Sequence, residues 1–108
     1  MTFTGKQKQF LKKEAHSLKP IFQIGKGGLS EEMMFQIQAA VEKRELIKVA
    51  LLQNTDEETS DVAAMLERET GAIVVQTIGH TVVLYKQAAK EKNRELSTRF
   101  EKAFSKRR

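Results

Sequence analysis

Four short runs rich in β-branched and apolar residues, Ile21–Ile24, Leu46–Leu52, Ala72–Thr77 and Thr81–Tyr85, alternate along the chain with longer segments of helical period. That alternation limits the fold more than any single residue does, because runs this short have strand length and helices need more. The stretch Thr4–Leu18 is expected to be a helix, with Thr4 and Gln7 in capping-box positions and Phe10, Leu11, Ala15 and Leu18 as its buried stripe. Pro20 stops it, since the residue before a proline is pushed out of the helical region. Gly25-Lys26-Gly27-Gly28 closes the first strand, and Ser30 caps a second helix running to about Arg44. Glu31 and Glu32 complement its dipole, Leu29 and Met34 occupy the staple positions, and Ile37, Ala40 and Val41 form its inner face. A polar turn over Asn54–Glu58 opens a third helix, with Thr55 and Glu58 as its capping pair, Val62, Met65 and Leu66 as its core face and Gly71 as its end. Gly79, within Ile78-Gly79-His80, joins the last two runs as a hairpin. Two strand–helix–strand crossovers and a terminal hairpin predict an α/β fold with a mixed four-stranded sheet. Leu46–Leu52, apolar except for Lys48, reads as a central strand, and Phe22 and Phe35 read as core.

The chain has 108 residues, enough for one domain with its own core. It contains no cysteine, which excludes disulfides, thiol catalysis and cysteine-based zinc sites. No apolar run approaches the roughly 20 residues of a membrane-spanning helix, and the first residues have no signal-like apolar region, so a cytoplasmic location without membrane contact is expected. The net charge of +5 hides its layout. Residues 1–28 carry six lysines and one acid, Glu14; residues 29–85 carry four basic and ten acidic groups; residues 86–108 carry nine basic and three acidic groups. Two basic ends flank an acidic middle. A polyanionic partner accounts for this, and so does simple solvation by lysines. From Gln87 onward the chain is helix-prone but thin in apolar residues, with Leu96, Phe100 and Phe104 at spacings of four. The expected organisation is a domain over 1–86 and a basic extension over 87–108, helical or partly disordered.

No catalytic constellation emerges. His16 and His80 lie far apart on different elements, and the carboxylates Asp56, Glu57, Glu58 and Asp61 cluster where a helix start favours them. The expectation is a monomeric non-enzyme with no metal, no cofactor and no small-molecule substrate. Tyr85 and Phe104 are better explained by burial than by base stacking. The glycine loop is the sharpest local feature. Its spacing matches neither a P-loop nor a dinucleotide fingerprint, but Gly25, Lys26, Gly27 and Gly28 form the Gly-x-x-Gly with which RNA-binding KH modules clamp backbone nucleotides. A tight connection that merely needs positive φ fits the spacing as well. The first helix adds a second feature: Lys8, Lys12, His16 and Lys19 run down one face, flanked by Lys6 and Lys13. Like charges four apart cost a few tenths of a kcal/mol per pair, a penalty that bound phosphates would relieve.

Three runs, Ile24–Ser30, Glu45–Val49 and Ile78–Lys86, in this order and with helices between them, resemble the CRM domain (chloroplast RNA splicing and ribosome maturation) in its stand-alone bacterial YhbY-like form. The resemblance spans roughly Thr4 to Lys86. It implies a fold akin to the C-terminal domain of translation initiation factor three, and RNA binding through Gly25, Lys26, Gly27 and Gly28 with the basic residues nearby. It places the family's strand motif on Leu46, Ile47 and Val49, with Lys48 as the polar member, and adds His80 and Lys86 from the third run to the RNA contacts. His80 stands where the family often has arginine and carries less charge at pH 7. The function implied is binding to ribosomal RNA of large-subunit precursors in support of assembly. The alternative is a module that docks on a ribosomal protein or assembly GTPase through the acidic middle or the Leu96, Phe100, Phe104 stripe.

Overall fold

The computed structural model describes residues 3–104. The elements run α1 (Gly5–His16), β1 (Phe22–Ile24), α2 (Glu31–Arg44), β2 (Leu46–Leu51), α3 (Thr59–Thr70), β3 (Ile73–Ile78), β4 (Thr81–Tyr85), a 3-10 turn at Glu91–Asn93 and α4 (Glu95–Phe104). The sheet order is β1-β2-β4-β3, with β1 parallel to β2 and both other pairings antiparallel. The α/β class, the mixed sheet and the central place of β2 are as the sequence predicts.

Period-two alternation builds a core on each side of that sheet. Ile47, Val49, Leu51, Val82 and Leu84 point to one face, where they meet Ile37 and Val41 of α2 and Val62 and Leu66 of α3. Leu46, Val83 and Tyr85 point to the other, where they meet Leu11 and Ala15 of α1 and Leu96 and Phe100 of α4. A bulge between Val74 and Gln76 shifts the register of β3, and Val75 joins the second cluster. The Leu96–Phe100–Phe104 stripe therefore lies inside the fold, against Phe3, Phe10 and Tyr85. Arg99 clasps Glu14 of α1 with both guanidinium nitrogens, at 2.9 and 3.2 Å. The stretch expected to hang off the domain closes its second face; residues 105–108 of that stretch lie outside the described ones.

Three expectations differ from the structure in instructive ways. Helix α1 ends at His16 rather than Leu18, and the freed Leu18 carbonyl accepts a 2.9 Å hydrogen bond from Lys48 Nζ. That contact explains the lone polar residue of β2. Helix α3 begins at Thr59, and the Thr55–Glu58 capping pair does not form. Thr55 Oγ1 instead accepts from the Glu57 amide at 3.2 Å, a local turn that competes with helix initiation. Phe35, assigned to the core, is 72% exposed. Ile37 and Val41 define the buried stripe of α2, and at 100° per residue Phe35 lies roughly 200° away from Ile37.

Candidate nucleic-acid interface

The glycine loop sits at the end of β1, and its shape follows from its residues. Gly28 N–H donates to Gly25 O at 3.1 Å, closing a four-residue turn whose third member, Gly27, has φ +93°. A type II turn demands that conformation, which side chains resist. Gly27 faces open space and Lys26 is exposed at the tip. Gly28, at φ +74°, is needed for a second reason: any Cβ there would collide with the Glu57 carboxylate. That carboxylate accepts from Leu29 N–H at 3.3 Å. Beyond the turn Ser30 caps α2, its hydroxyl accepting from Met33 N–H at 3.1 Å. No partner among the described residues takes the Lys26 and Gly27 amides, which suits them to an anionic ligand.

The sheet brings two further loops to this end. Ile24 pairs with Leu51, so β1 and β2 stop at the same level, and Ala50 pairs with Thr81 at the start of β4. The Gly79-His80 hairpin is therefore level with the glycine loop. Leu51 N–H donates to His80 O at 2.7 Å, and the His80 ring lies 3.4 Å from Thr59 Oγ1 at the start of α3. Gly79 at φ +56° fits the first central position of a two-residue hairpin.

The cations of α1 are arranged by what covers the helix. Phe10 and Glu14 lie on the flank packed against α4, which leaves Lys8, Lys12 and His16 on the bare flank. Lys6, Lys13, His16 and Lys19 are exposed, and Lys8 and Lys12 are half-buried along their stems. None of these five lysines has a carboxylate partner among the described residues. The lysines of α1 occupy the face of the sheet opposite α2 and α3, and Lys19 and Lys26 flank β1 beyond its two ends. Lys86 lies elsewhere. It follows β4 at the far end of the sheet and pairs with Glu42 at 3.1 Å. The Ala89 amide, followed by Lys86, holds the Glu42 carboxyl below its usual range.

That far end is knit by a residue the sequence did not flag. Glu45 is fully buried and holds φ +70° at the end of α2. Its carboxylate accepts from the Ala88 amide at 2.8 Å and from the Ser97 amide and hydroxyl at 3.0 and 2.5 Å, which anchors the first turn of α4. The Ser97 hydroxyl also meets Tyr85 Oη, and burial pushes the Tyr85 hydroxyl above its ordinary pKa.

The model of the CRS1/YhbY (CRM) domain matches residues 3–86. The chain belongs to this family. Within it, a Bacillus subtilis protein named "Probable RNA-binding protein YqeI" is 54% identical over 93 residues, 86% of this chain and 97% of its own length. A Haemophilus influenzae protein named "RNA-binding protein" is 44% identical over 92 residues, covering 84% and 92%. The solution structure of SAV1595 from Staphylococcus aureus superposes with a TM-score of 0.70 at 45% identity, over 87% of this chain and 98% of that one. The match ends at Lys86, so α4 packs against this CRM domain from outside the matched span. Sequence reasoning missed Glu57 and Glu45 because each acts at long sequence separation, 28 positions to Leu29 and 52 to Ser97. By sequence, Glu57 reads with its acidic neighbours as part of a helix start. Only the departure from helix-start spacing that Thr55 imposes hints otherwise.

Proposed function

We propose that this CRM domain is a monomeric, cytoplasmic RNA-binding protein and not an enzyme, and that it docks on ribosomal RNA of large-subunit precursors to assist their assembly. Gly25, Lys26, Gly27 and Gly28 clamp a backbone phosphate, while Lys8, Lys12, Lys13, His16 and Lys19 neutralise its neighbours, with Lys6 and His80 at the margins. Lys86, committed to Glu42, stays outside this set. The observation that carries the reading is the bare flank of α1, a row of cations without carboxylate partners among the described residues. Relatives named as RNA-binding proteins support it. With about six phosphates engaged, log affinity for a ribosomal RNA fragment falls with log salt at a slope of roughly −4 to −5. Filter binding against deproteinised ribosomal RNA measures this, and a slope near zero rejects the reading.

One observation favours a second reading. Phe35 is exposed on the acidic α2–α3 side, which suits a protein partner such as a ribosomal protein or assembly GTPase. Capture on assembly particles that survives in protein-only fractions, and is lost in Phe35→Ser, selects it.

A further inference from the structure

The carboxylate of Glu57 stands against the glycine loop, beside Gly28 and Leu29. It accepts from Leu29 N–H and lies directly over Gly28, which has room for it only because it lacks a Cβ. Two successive turns deliver it there. Thr55 N–H donates to Leu52 O at 3.1 Å, and Thr55 Oγ1 accepts from the Glu57 amide. Glu57 is half-buried, and among the described residues no cation pairs with it. Its neighbours Asp56 and Glu58 are exposed.

A carboxylate held on a backbone amide beside a turn rich in free N–H groups is chemically an anion in an anion site, supplied by the protein itself. Resting on the proposed function, we infer that Glu57 is the selectivity residue of the glycine loop: an internal anion that excludes isolated phosphate and yields only to a phosphate within a nucleic-acid strand. A phosphate entering the loop meets a like charge at close range, in half-buried surroundings where water screens poorly. A strand overcomes that repulsion because lysines of α1 hold its neighbouring phosphates and raise the effective concentration at the loop. Free phosphate or a mononucleotide has no such second anchor. The same carboxylate keeps Leu29 N–H satisfied while the site is empty.

The decisive variant is Glu57→Gln, which keeps an acceptor oxygen for Leu29 and removes the charge. Asp56→Asn removes the same charge one residue away, off the loop. In the full chain, Glu57→Gln binds a ribosomal RNA fragment about fivefold more tightly than wild type, the size expected of one partly screened like-charge contact. Millimolar inorganic phosphate shifts the Gly27, Gly28 and Leu29 amide signals of the variant in NMR spectra and leaves those of wild type in place. Asp56→Asn changes RNA affinity less than about twofold, as an exposed, screened charge should. If glutamine disturbs the fold, Glu57→Ala is expected to move both readouts the same way. Equal or weaker RNA binding by the folded variant overturns the inference, as do wild-type amides that titrate with phosphate or an equal gain in Asp56→Asn. Gly27→Asp separates the two levels. If it binds RNA like wild type, the loop has no role and the proposed function fails; if it loses binding while Glu57→Gln gains none, only the role of Glu57 fails.

Discussion

The two ends of the sheet treat charge in opposite ways. At the far end several ionised groups are committed within the chain: Glu45 takes three donors, Lys86 pairs with Glu42, Arg99 clasps Glu14, and Arg94 donates to the carbonyls of Ala88 and Ala89 at 2.7 and 3.1 Å. At the glycine-loop end the Lys26 and Gly27 amides and the Lys26 ammonium are without partners among the described residues, and so are the lysines on the bare flank of α1. What distinguishes a binding surface is groups whose partners are not already in the chain. Glu57 is the exception at the loop end, a carboxylate that binds the loop from within.

The comparison breaks most visibly at Glu45. Replacing it with alanine strands the Ala88 and Ser97 donors in a buried setting and should cost about 3 kcal/mol of stability, read by urea unfolding. RNA affinity of the folded fraction should stay put, and a matching loss of affinity would show that the two ends are not separable. The next largest effect is at the opposite end. Gly27→Asp places a carboxylate in the open turn and should weaken RNA binding by tenfold or more, on the order of 1.4 kcal/mol, with a native circular dichroism spectrum. A smaller effect sharpens the contrast between free and committed lysines. Lys12→Ala should reduce the salt slope of binding by roughly one, whereas Lys86→Ala should leave it unchanged. Equal slopes for the two variants would erase the distinction. The smallest effect concerns Phe35, where serine should change stability by under about 0.5 kcal/mol, against 2–5 kcal/mol for Ile37→Ala two residues on.

Much of this fold could be read from local pattern, because the forces that set it are local. The Thr4–Gln7 capping box forms as spaced, with both of its hydrogen bonds, and Gly71 ends α3 at φ +76°. The strand runs declare themselves by β-branched residues and alternation, and the glycine loop by its composition. Legibility fails where one residue has two plausible local partners or a distant one. Thr55 had Glu58 at capping-box spacing and took Glu57 instead. Phe35 is apolar, but its place on the helix wheel is fixed by Ile37 and Val41, so hydrophobicity alone misplaced it. For the candidate site, the loop and the lysine face were visible as motifs, while the carboxylate that occupies the loop was not. Sequence separation hides such a contact, since no periodicity links Leu29 to Glu57.

The contact between α1 and α4 joins segments far apart in the chain, as Phe10 and Phe100 show. Phe3, Phe10 and Tyr85 emerge from the ribosome well before Phe100 and Phe104, which cover them, and before Ser97, which receives Glu45. A nascent chain short of α4 therefore presents an uncapped aromatic patch and an acid without its two Ser97 donors. In timing terms, the second core cannot close until α4 has left the ribosome.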